Sequence, residues 1–199
     1  MNTAPALDPA HTALLVLDCQ PAVLAALPGD GVREALLARV ERAVADVRAA
    51  DGTVAHGRVA FTEADWDTVP DTNESFAAVA RHRALHHADP AADFHERLAP
   101  LGGDIVVRKT RYGAMSTTDL DRQLRERGIT ALVVAGISTS GAVLSTVLDA
   151  ADRDYRLHVL ADAVADPDPE LHDLLLRRVL PTRAHLVDTA GLPDLLRAG

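Results

Sequence analysis

The chain has 199 residues, 48% hydrophobic and only 3% aromatic, which is mass enough for one domain (1–199) whose core must be built from Ala, Val and Leu. A net charge of −9 argues against nucleic acid as a partner, because affinity for phosphate backbones comes from basic side chains that release counterions. No apolar run approaches the ~20 residues of a membrane helix, Met1–Asp8 lacks a basic region followed by an apolar one, and the single cysteine, Cys19, excludes an internal disulfide. The expectation is a cytoplasmic protein with no membrane partner.

Apolar runs of strand length recur at 12–18, 53–61, 104–109, 131–136, 156–163 and 184–188, mostly separated by segments with helical spacing. This is the pattern of repeated βαβ units. The first run ends on Asp18. After Gly31 a helix is predicted, with Val32, Ala35, Leu36, Val40, Ala43, Val44 and Val47 on one face and Arg33, Glu41, Arg42 and Arg48 elsewhere; Asp51-Gly52 ends it. After the second strand, Thr62 to Pro100 is irregular: it holds Trp66, Phe76 and Phe94 with Pro70, Pro90 and Pro100 and only short helical pieces, as a binding lid or subunit contact would. The third run closes on Lys109. A helix then starts near Thr117-Thr118-Asp119, where a hydroxyl can cap exposed amides, and stops at Gly128. The fourth strand runs through the turn Gly136-Ile-Ser-Thr-Ser-Gly-Ala142 into a helix at about 139–152. Helices at about 168–179 and 192–198, with Pro167, Pro169 and Pro193 near their starts, flank the last strand. The whole reads as one layered α/β/α unit.

Lys109 is the only lysine among twenty basic side chains. Where arginine otherwise supplies every cation, a compact ammonium marks a place near reacting groups. Lys109 and Asp18 both stand at strand ends, where open α/β sheets build their sites. The glycines and hydroxyl residues of the 136–142 turn expose amides at a helix start, which can hold an anion or a developing oxyanion. A carboxylate, an ammonium and a nest of amides are thus expected to face one pocket.

With these pieces the sequence resembles the isochorismatase-like hydrolases, a group that includes nicotinamidases and related amidohydrolases. The matching stretches are Ala13-Leu-Leu-Val-Leu-Asp18-Cys19-Gln20, Val106-Val-Arg-Lys109-Thr-Arg-Tyr, Ser116-Thr-Thr-Asp119-Leu, Val133-Val-Ala-Gly136-Ile-Ser-Thr-Ser-Gly-Ala142-Val-Leu-Ser-Thr and Asp149 to Ala163. The resemblance implies a three-layer, Rossmann-like fold with a six-stranded parallel sheet, and frequent homo-oligomers (dimer or tetramer). It also implies a cis peptide at Ile137-Ser138 and an Asp-Lys-Cys triad whose aspartate and lysine map onto Asp18 and Lys109. The cysteine position falls on Ala142, whose methyl group cannot attack a carbonyl. Ser140 stands where the family often has an aspartate. Isochorismatases likewise lack the cysteine and cleave a vinyl ether, a reaction that needs an acid rather than a nucleophile. Asp18 is the expected acid, with Lys109 orienting it and setting its proton affinity.

The backbone of Ile137, Ser138, Gly141 and Ala142 is the expected oxyanion turn, and Gln20, Phe61, Trp66 and Tyr112 the expected pocket wall, although core packing explains Phe61 equally well. Cys19 follows Asp18 on the strand and should point to the opposite face, into packing. Ser138, Thr139, Ser140 and Ser145 lack a base at a recognisable spacing and read as turn and cap residues. His82, His86, His87 and Asp89 read as a solvated loop, and Asp65-Trp-Asp67 stands where metal-binding relatives carry Asp-x-His, so neither a metal nor another cofactor is expected. Three readings follow: a cofactor-free hydrolase of a small enol ether; an amidohydrolase in which water or another hydroxyl attacks; and a binding protein that has lost activity.

Overall fold

The computed structural model describes residues 6–197. The reading of Met1–Asp8 rests mainly on positions 1–5, and the expected last helix includes position 198; both fall outside the described residues. Six strands, β1 (Thr12–Leu17), β2 (Thr53–Val59), β3 (Ile105–Lys109), β4 (Ala131–Ile137), β5 (Arg156–Ala165) and β6 (His185–Val187), form one sheet. Their order is β3-β2-β1-β4-β5-β6, with every neighbouring pair parallel.

The helices are α1 (Pro21–Leu24), α2 (Asp30–Ala49), α3 (Glu63–Asp67), α4 (Ala77–Arg81), α5 (Leu120–Glu126), α6 (Leu144–Asp152), α7 (Pro169–Leu174) and α8 (Leu192–Leu196). Strand residues on one face of the sheet, such as Leu14, Val16, Val133 and Leu160, pack under α1, α2 and α8. Their alternates Leu15, Leu17, Leu132 and Val134 pack under α5 and α6. Burial on both faces is why β1 and β4, buried at every position, are apolar at every position after Thr12. Among the described residues no helix is long and apolar enough to cross a membrane.

The differences from the sequence reading have local causes. Val32, expected on the buried face of α2, is 42% exposed: it stands in the first turn, ahead of Leu36, where the buried face of the helix begins. β2 stops at Val59 rather than 61, since the Phe61 amide donates to Leu85 of the 62–100 segment. β5 runs two residues longer than expected: its register against β4 slips between Val134 and Gly136, and the bulge lets pairing resume to Ala165. The helix expected at 139–152 opens with a π-helical turn, Thr139–Val143, and the one expected at 168–179 ends in another, Leu175–Val179.

Gly136 has φ +121°, and a Cβ there would overlap the backbone of Leu17. Only glycine lets the ends of β1 and β4 close together. Gly136→Ala is expected to cost at least ~3 kcal/mol, read as a lower urea midpoint with an unchanged m-value.

Candidate active site

β1 and β4 are the neighbours at which strand order reverses, so their C-terminal ends open the crevice that this topology leaves for ligands. Asp18 leaves β1 with φ +52°, a left-handed conformation that aspartate tolerates better than bulky residues, and its amide donates to the Gly57 carbonyl at 2.8 Å. Lys109 ends β3, with β2 lying between it and β1. Two strand spacings come to about 10 Å, so only a long side chain can bridge them. Lys109 does: its Nζ donates to Asp18 Oδ2 at 2.6 Å and to the Arg111 carbonyl at 3.1 Å.

The pair is almost sealed from solvent, with Lys109 1% and Asp18 5% exposed. Burial pushes the Asp18 carboxyl up from its usual 3.8 to about 6, against the charge and hydrogen bond of Lys109, which pull it down. Its second oxygen, Oδ1, is buried without a hydrogen-bond partner. An orphaned carboxyl oxygen is itself a reason to hold a proton. Beside the pair lies a cavity of about 230 Å³ whose lining includes Asp18, Lys109, Tyr112, Ile137, Ser138 and Ala142. The Ile137–Ser138 peptide is cis.

The expected oxyanion turn is only partly available. Ile137, Ser138 and Ala142 face the cavity, but the Gly141 amide is already taken by Ser138, through its carbonyl at 3.2 Å and its hydroxyl at 3.1 Å. Gly141 stays glycine for room, because a Cβ would crowd Ser138 Oγ and the Tyr112 ring. The Ser140 amide donates to Asp166 at 2.7 Å.

Of the expected pocket wall, Tyr112 lines the cavity, and Gln20, Phe61 and Trp66 do not. Gln20 is a buried clamp: it accepts from the Val59 amide at 2.9 Å and donates to the carbonyls of Val59 and Ala92. Phe61 and Trp66 pack with Val59 and Phe76 in a small separate core, and Trp66 Nε1 donates to the Ala84 carbonyl at 3.1 Å. They support the lid from behind, while Ser75, Phe76, Val79 and Leu85 of the lid face the ligand space. These four were missed because an irregular segment has no periodicity to show which side chains turn inward. Arg111, two residues past the end of β3, is also in the lining.

One hydroxyl has a base that spacing could not reveal: Thr139 Oγ1 and His172 Nδ1 share a hydrogen bond of 2.8 Å across 33 positions. Thr139 is fully buried and outside the cavity lining, so this contact anchors the turn to α7. Burial and the neighbouring Asp18 charge push the Cys19 thiol up to about 12, which leaves it inert. His86 lies 5.3 Å from the Trp66 ring and 3.2 Å from Glu63.

The isochorismatase domain family matches residues 12–191. The chain is 36% identical to the ureidoacrylate amidohydrolase RutB of Methylobacterium radiotolerans, over 96% of this chain and 81% of that protein. It is 30% identical to YwoC, an uncharacterized isochorismatase family protein of Bacillus subtilis, over 91% of each. An isochorismatase family protein from Burkholderia thailandensis has the same architecture, with a TM-score of 0.82 at 26% identity, covering 98% of this chain and 100% of that one. Matched in sequence and in fold over nearly its whole length, the chain belongs to the isochorismatase family.

Proposed function

We propose that this hydrolase cleaves a small enol ether by proton donation from Asp18. The observation that carries the reading is a sealed carboxyl, held near pH 6, beside a cavity whose usual thiol position is a methyl group. Asp18 gives its proton to the terminal carbon of the enol ether, and an oxocarbenium ion forms. Water adds to that ion and returns a proton to Asp18; the hemiketal then breaks its carbon–oxygen bond to release an alcohol and a ketone. Lys109 stabilises the carboxylate between the two proton transfers, which is the moment the site carries the most charge. Product analysis on a panel of enol ethers and amides tests the assignment, and hydrolysis of amides alone would reject it.

The acid must be protonated to act. Activity is therefore expected to be flat below about pH 6 and to fall about tenfold per unit above it, read from kcat/KM across the range.

A second reading, amide hydrolysis, is favoured by the 36% identity to RutB. Without a thiol, Asp18 would act ionised, as a base on water, and the pH profile would rise through about 6 instead of falling. Under this reading Ala142→Cys increases amide turnover and allows an acyl-enzyme to be trapped; under the first it does neither. A chain that turns over neither class is the inactive binding homologue.

A further inference from the structure

The proposed reaction leaves one charge of the cavity without a task. Lys109 is committed to Asp18, whereas Arg111, the other cation of the lining, has no carboxylate partner among the described residues. Its guanidinium is nonetheless held in place. Nη1 donates to the Thr110 carbonyl at 2.6 Å, and the guanidinium carbon lies 5.5 Å from the centre of the Phe76 ring. The Lys109 ammonium binds the Arg111 carbonyl, so the backbone beneath this arginine is tied to the Asp18–Lys109 pair. The remaining N–H groups of the guanidinium have no protein acceptor among the described residues.

We propose that Arg111 binds a carboxylate of the substrate, and that the substrates are small monocarboxylates. The inference rests on the reading of this cavity as the reaction site. Its charge favours an anion in either protonation state: with Asp18 protonated, Lys109 and Arg111 leave two positive charges, and with Asp18 ionised one remains. The planar fork of arginine matches the two oxygens of a carboxylate, and its ring contact lowers the cost of ordering it. A cavity of about 230 Å³ holds on the order of ten non-hydrogen atoms, given roughly 30 Å³ for each water displaced. A bound carboxylate also discourages ionisation of Asp18 nearby, so the substrate's own charge helps keep the acid protonated. Arg111 thereby selects the substrate and supports the proton donor.

The test is calorimetric titration at neutral pH with benzoate and its uncharged isostere benzamide, on the wild-type chain, Arg111→Gln and Arg111→Lys. Benzoate is expected to bind wild type about 10- to 100-fold more tightly than benzamide. Arg111→Gln removes that preference and changes benzamide affinity less than about threefold, and Arg111→Lys restores part of it. Equal affinity of the two ligands for wild type, equal weakening of both by Arg111→Gln, or no benzoate binding at millimolar concentration would overturn the proposal. So would a preference that survives in Arg111→Gln, since the anion would then sit on Lys109. Because the assay reads binding alone, it can fail while Asp18-dependent enol ether hydrolysis stands, and succeed where that hydrolysis is absent.

Discussion

Asp18→Asn is expected to lower kcat for enol ether hydrolysis by about 10³-fold or more while the protein keeps its far-ultraviolet circular dichroism and a cooperative melt. The amide is nearly the same size as the carboxyl and has no acidic proton to transfer. It still offers an oxygen to the Lys109 ammonium, which also keeps the Arg111 carbonyl as an acceptor. The loss of rate therefore reports the missing acid rather than a collapsed site. Turnover that survives the substitution would remove Asp18 from the chemistry, and the assigned reaction with it.

Lys109→Met is expected to cost about 3–5 kcal/mol of stability near pH 8, because it leaves a buried carboxylate with no counter-charge. The penalty should shrink near pH 5, and its sign follows from proton linkage. Asp18 already holds its proton more tightly folded than its ordinary 3.8 allows, so the stability it contributes is complete below about pH 4 and is lost as pH rises through about 6. Lys109 pulls in the other direction, and deleting it lifts the folded-state value further. Loss of stability then continues to higher pH than in the wild type, and the descending limb of the pH–rate profile moves up by about one unit or more. Urea midpoints at both pH values and the rate profile check this together. A penalty equal at both, with an unmoved limb, would mean that Lys109 does not govern the proton on Asp18.

Much of the architecture was legible in the chain. Six apolar runs mark six strands, because a parallel sheet covered on both faces buries its central strands at almost every position, and the heptad-like spacing after Gly31 marks α2 because one helix face alone is covered. The pairing of Asp18 with Lys109 was inferable from two charges closing apolar runs, together with the rarity of lysine. The lid was visible only as an irregular, aromatic segment. Two aromatic residues expected in the pocket wall, Phe61 just before the lid and Trp66 within it, turned out to be its scaffold, since large rings stabilise most when packed against one another.

What the sequence by itself determined is the order of the layers, the strand ends that carry charge and the absence of a thiol at Ala142, all of which follow from local pattern and residue type. Tertiary structure alone decided which amides of the 136–142 turn are already engaged, that Gln20 is a clamp, that Thr139 meets His172, and that Arg111, with no carboxylate partner among the described residues, stands beside the Asp18–Lys109 pair. Each of these depends on distances between groups far apart in the chain. The proton affinity of Asp18 belongs there too, because it is the balance of desolvation against one ammonium 91 positions away.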